Sequence, residues 1–170
     1  TSTFDKSADI LIADNMPITI TEDDIVAGEK SVGNFNFRRV VAITEFTYTV
    51  TNTELISSDA KVNSVSFEVV SAGNDKFLAG NMHIQPNEDG AKYVDANLVE
   101  ITDNKDYFYG ADANKVTVTL TDKPALKDGF KAWFVTSPIT LEADDKLIFT
   151  VKTDDGKTIT KTIAAVGKEL

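Results

Sequence analysis

Apolar and polar residues alternate along much of this chain with a period of two. Val65, Phe67 and Val69 of the run VNSVSFEVV share one face of an extended segment, as do Val116, Val118 and Leu120 of KVTVTL. Successive side chains of a strand point to opposite faces, so both runs predict half-buried antiparallel strands. Turn-forming residues bound them: Ala72-Gly73-Asn74-Asp75 after the first and Thr121-Asp122-Lys123-Pro124 after the second. Near the C-terminus, residues 147–153 and 157–163 flank Asp154-Asp155-Gly156. Asp-Gly between two β-rich runs predicts a hairpin with a type I′ turn, whose two central residues take positive φ. Leu147, Phe149 and Val151 then face a core, with Thr150 and Lys152 opposite.

Residues 130–135 (FKAWFV) predict a further strand, stopped by Ser137-Pro138, whose apolar setting places Trp133 in the core. Residues 77–84 predict another, ending before Pro86. Residues 9–13 read as a short strand. Residues 21–27 (TEDDIVA) read as one helical turn, with Thr21 and Asp24 spaced as a capping box. No other segment sustains a helical period. About eight strands separated by turns predict an all-β, antiparallel two-sheet β-sandwich, with residues 1–170 forming a single domain.

The longest β-type run, residues 35–50 (FNFRRVVAITEFTYTV), also holds the chain's only two arginines, Arg38 and Arg39. Phe35, Phe37, Val41 and Ile43 fall on one face, whereas Phe46, Tyr48 and Val50 fall on the other. A β-bulge near Thr44-Glu45 would restore a single core face. The same parity points Arg39 inward, its stem packed near a sheet rim, and Arg38 outward. Adjacent cations inside an apolar strand are a local conflict of the kind found at special packing devices or functional sites.

Composition narrows the function. A chain of 170 residues with 42% hydrophobic content can bury a core without disulfide or metal staples. Asp and Glu outnumber Lys and Arg by 27 to 17, giving a net charge of −10 that repels nucleic acid and anionic lipid. No apolar run approaches the roughly 18 residues of a membrane span, so no direct membrane insertion is expected. The absence of Cys excludes thiol catalysis, disulfides and Cys-based zinc sites. A composition rich in Thr, Asp, Asn and Lys leans towards an exported bacterial β-domain.

Candidate chemistry is sparse. The single histidine, His83, lies opposite Met82 and Ile84 in its strand and reads as a solvent-side residue without the company that a triad or a metal requires. The acidic groups Glu22-Asp23-Asp24, Glu142-Asp144-Asp145 and Asp154-Asp155 lie at turns and do not fit a calcium loop. No glycine loop cradles a phosphate: Gly28 and Gly33 are isolated. No enzyme activity, cofactor or metal is expected. Tyr107 and Tyr109 project together from an extended segment and form a candidate ligand platform for a sugar or peptide, or else close the end of the core.

The order NFNFRRVVAITEFTYTV, VNSVSFEVV, FLAGN and AWFVTSPITLEADDKLIFTVKTDDGKTITKTI, over roughly residues 8 to 165, resembles the fimbrillin family of Bacteroidales surface proteins. The resemblance implies a transthyretin-like β-sandwich, the N-terminal domain of a longer protein displayed at the outer-membrane surface. It also implies a pilus structural, tip or anchor component, or a related adhesin, that works without catalysis. Its partners would be other pilin-like subunits, surface receptors or glycans. In that family an N-terminal segment is removed after an arginine and a neighbour's strand fills the groove, which makes Arg38 and Arg39 the candidate processing site. Their place inside a strong strand opposes cleavage of the folded chain. The alternative is a carbohydrate-binding surface module built on Tyr107 and Tyr109.

Overall fold

The computed structural model of the chain describes residues 6–13, 18–51, 60–71, 73, 76–87, 90–94 and 108–165. Within them the chain is all-β and antiparallel, with eleven strands and a single α-helix. The core begins at β4 (Val62–Val70), where the alternating pattern buries Val65, Phe67 and Val69 almost completely. On one side β4 pairs with β8 (Lys115–Thr119) and on the other with β10 (Lys146–Thr153), which pairs in turn with β11 (Thr158–Ala164). The order of this four-stranded sheet is β11-β10-β4-β8. Its inner face carries Phe67 and Phe149, stacked at 4.9 Å.

A second layer covers that face. Here β3 (Ala42–Tyr48) pairs with β9 (Phe130–Thr136), and the even positions of β9 (Phe130, Ala132, Phe134, Thr136) are buried. Phe46 stacks on Phe149 at 5.1 Å and Phe134 tilts against Phe67 at 5.7 Å, so aromatic rings join the two layers. Such pairs contribute beyond the apolar area they bury. A further three-stranded sheet, β6-β5-β7, is formed by β5 (Ala79–Asn87), β6 (Gly90–Val94) and β7 (Phe108–Ala113). The Ser137 N–H donates to the Leu78 carbonyl at 2.9 Å, tying the start of β5 to the end of β9. At Asn114 the chain passes from β7 of the three-stranded sheet to β8 of the four-stranded one. Asn114 accepts from the Val69 N–H and its side-chain amide donates back to the Val69 carbonyl, which fixes the corner.

Several sequence expectations change. The run 35–50 is not one bulged strand. It bends at Val40-Val41, both buried, and separates β2 (Phe37–Arg39) from β3, which pairs with β9 without a register shift. The parity change that suggested a bulge at Thr44-Glu45 is this change of sheet, placed earlier. Trp133 lies on the half-buried outer face of β9, opposite Glu45, because the core face belongs to the even positions. The 154–156 hairpin is not type I′: only Gly156 takes positive φ, and its N–H donates to the Thr153 carbonyl. That is a three-residue loop ending in a left-handed glycine. The strand of residues 77–84 runs on through Pro86 to Asn87. At Pro86 β5 has a partner on the β6 side, its pairing with β7 being confined to Ala79–Met82, so the missing N–H interrupts no second ladder.

Candidate functional site

The arginine pair sits in a ribbon set apart from the core. β1 (Leu11–Ala13) pairs antiparallel with β2, Leu11 opposite Arg39 and Ile12 opposite Arg38. Between them lies α1 (Glu22–Ala27), as the capping-box spacing predicts. The Asp24 N–H donates to the Thr21 hydroxyl and the Thr21 N–H donates to the Asp24 carboxylate. Gly28, at φ 72°, ends the helix in the left-handed region. Nothing on this helix is buried.

Parity pointed Arg39 inward, and the structure corrects this. All three residues of β2 are exposed, and the Arg39 guanidinium grips Asp9 with Nε–Oδ1 at 2.6 Å and Nη2–Oδ2 at 2.8 Å. The bidentate geometry matches the planar fork to the carboxylate. Hydrogen bonding from Arg39 holds the Asp9 carboxyl below its usual value and raises the guanidinium in turn. Because β2 ends at Arg39, the inward face on which the parity rested starts only with Val40. Arg38 is exposed, as expected.

The exposed apolar residues are concentrated here. Ile10, Leu11, Ile18, Ile20, Ile25, Val26, Val32, Phe35 and Phe37 are all open to solvent, Phe37 at 63%. Beyond Val40 only Val70 and Ile163 join them among the residues whose side chains are described. Arg38 and Arg39 therefore mark the junction where an exposed apolar segment meets a buried core. Nothing in the alternating pattern distinguishes Phe37 from Phe46, so sequence reasoning missed this boundary.

The other candidates fare differently. Tyr107 lies outside the described residues, and Tyr109 is in β7 opposite Asn81 with its side chain also outside them, so the proposed platform falls outside the described residues. His83 is half-buried in β5 rather than solvent-facing, opposite Val94. Among the described residues no group of three or more His, Asp or Glu is arranged to hold a metal. An open groove of about 470 Å³ runs past Tyr48, Lys127, Gly129 and Lys131. The Tyr48 ring is already stacked on Phe130 at 5.3 Å.

One acidic turn holds more than its sequence suggested. Asp145 of the 142–145 group is 1% exposed, and its Oδ2 accepts from Lys76 Nζ at 2.6 Å and from the Glu142 N–H at 2.8 Å. Burial alone would raise the Asp145 carboxyl, but the Lys76 ammonium, the Glu142 N–H and the nearby Ser71 hydroxyl outweigh it and hold it below its usual value. Lys76 is itself 8% exposed. Sequence reasoning took this Asp for a turn residue, and only its partner 69 positions away reveals otherwise.

Neither family models nor curated proteins nor solved structures yield a match to this chain.

Proposed function

We propose that this chain is a non-catalytic cell-surface fimbrial or adhesion subunit that acts through strand-mediated assembly. The observation that carries the reading is the exposed apolar segment ahead of Val40, whereas beyond it, among the side chains described, only Val70 and Ile163 are large apolar groups open to solvent. An apolar surface of this kind ordinarily marks contact with another molecule. The resemblance to fimbrillins supplies the form of that contact, a transthyretin-like sandwich accepting a neighbour's strand. The outer strand β11 is a poor acceptor, because Lys161 stands exposed at its centre and a charge there opposes edge pairing. The β1–β2 ribbon, which lies beside β6, is the better place. Cutting after Arg38 or Arg39 would free the ribbon and open that flank to an incoming strand. The pair stands in an exposed three-residue strand, so the obstacle that a long buried strand would pose to a protease is absent.

The test is to treat the folded full-length protein with an Arg-specific protease and follow its size by light scattering and electron microscopy. Scission at Arg38 or Arg39 followed by ordered multimers, with the R38Q/R39Q variant uncut and monomeric, supports the reading. A cut product that stays monomeric, or a folded protein that resists the protease at both sites, overturns it.

A further inference from the structure

We propose that Lys76 and Asp145 condense into an intramolecular amide, a covalent cross-link in a chain that has no cysteine. Their geometry is that of two reactants already brought together. Nζ lies 2.6 Å from Oδ2, both side chains are withdrawn from water, and Glu142 Oε1 stands 3.7 Å from Nζ. The backbone fixes both ends. The Asp145 N–H donates to the Glu142 carbonyl, the Ala165 N–H donates to the Asp145 carbonyl, and the Ser137 hydroxyl donates to the Phe77 carbonyl beside Lys76. Holding reactants this way removes much of the entropic cost of their encounter.

The two carboxylate oxygens are not equivalent. Oδ2 is held by Lys76 and by the Glu142 N–H, whereas Oδ1 is buried with no hydrogen-bond partner among the described residues. The hydrogen bonds to Oδ2 favour the charged pair, so the neutral amine and acid that react are its minor form. One proton passes from Nζ to Oδ1, leaving an amine and a carboxylic acid. The Nζ lone pair then attacks Cγ, the C–N bond forms, and negative charge gathers on Oδ2, where the Glu142 N–H stabilises it. Glu142 takes a second proton from Nζ and returns it to the Oδ1 hydroxyl. The Cγ–Oδ1 bond breaks, water leaves, and the Oδ2 electrons re-form the carbonyl. The ammonium and the carboxylate have become an amide and one water, with Glu142 returned to its starting state and no oxidant or cofactor consumed.

The position of the bond gives it a consequence. β4 leads to Lys76 and β10 follows Asp145, and these two strands are neighbours in the sheet. The amide closes the segment carrying β5 to β9 into a ring, so tension applied at the chain ends bypasses it. That use rests on the surface-subunit reading; the bond itself does not.

Intact-mass spectrometry of the purified, denatured protein is the test. The expected mass is lower than that of the linear chain by one water, and peptide mapping finds a branched peptide joining Lys76 to Asp145. Glu142→Gln, at an exposed side chain, is expected to slow the loss at least tenfold. A wild-type protein that keeps its full mass after prolonged incubation overturns the proposal without recourse to a variant. So does an equal loss in Lys76→Arg, which would place the missing water elsewhere, for instance in a cyclised Asp155-Gly156.

Discussion

The segment 18–39 and the two layers formed by β3, β4, β9 and β10 carry similar alternations of apolar and polar residues, yet their fates are opposite. Between the layers Phe46, Phe67, Phe134 and Phe149 close on one another. In the N-terminal segment Phe35 and Phe37 touch only at the wide separation of 6.5 Å, and both remain exposed. An apolar side chain contributes to stability only when a second layer covers it. Among the described residues no second layer covers the β1–β2 ribbon, and the surface grip of Arg39 on Asp9 helps to join its two strands. The two layers should therefore behave as the cooperative unit, and the N-terminal segment as an appendage with its own low opening free energy.

The largest effect should come from Phe67→Ala, which empties a site with no solvent exposure against Phe134 and Phe149. A loss of about 3–5 kcal/mol in urea unfolding is expected; a loss under ~1 kcal/mol would show that the two layers are not the core. Gly129→Ala should follow. Gly129 sits at φ 72°, and an added Cβ would lie 2.7 Å from the Tyr48 carbonyl oxygen, so about 1–3 kcal/mol of destabilisation is expected from the strained backbone and the forced retreat of β3.

Acid should act on the hairpin next. Hydrogen bonds from Lys157 and Thr153 lower the Asp155 carboxyl to about 2. The unfolded chain then binds a proton that the folded hairpin refuses, so the Asp155 contribution is complete above an unfolded value of about 3.9 and disappears as pH falls through about 2. An NMR titration with its midpoint near the ordinary aspartate value would contradict this. Arg39→Gln should leave the global unfolding midpoint in place while speeding hydrogen exchange at β1 and β2, and a fall in the midpoint would tie the ribbon to the core. The smallest effect belongs to Val26→Ser, on a side chain 88% exposed, with a change within ~0.5 kcal/mol.

How much of this was legible beforehand depends on how local the cause was. The capping box of Thr21 and Asp24, the hairpin about Gly156, the buried faces of β4 and β10 and the half-buried face of β8 depend on neighbours within a few residues, and all emerge from spacing. Of the candidate site residues, spacing identified Arg38 and Arg39 as a conflict but misdirected Arg39. Parity assumes one uninterrupted strand, and the bend at Val40-Val41 is set by where β3 meets β9.

By itself, the sequence determined the all-β antiparallel class, since a period of two forces one face of each strand inward whatever lies opposite. It also bounded the chemistry through a lack of cysteine and a lone histidine. The tertiary structure alone decided which apolar runs were covered, because covering requires a second layer supplied by remote strands. For the same reason it alone placed Asp9 under Arg39, 30 residues away, and Lys76 on Asp145. Ion pairs across such separations leave no periodic trace in the chain, since each partner is set by its own element and their meeting by the packing of the whole.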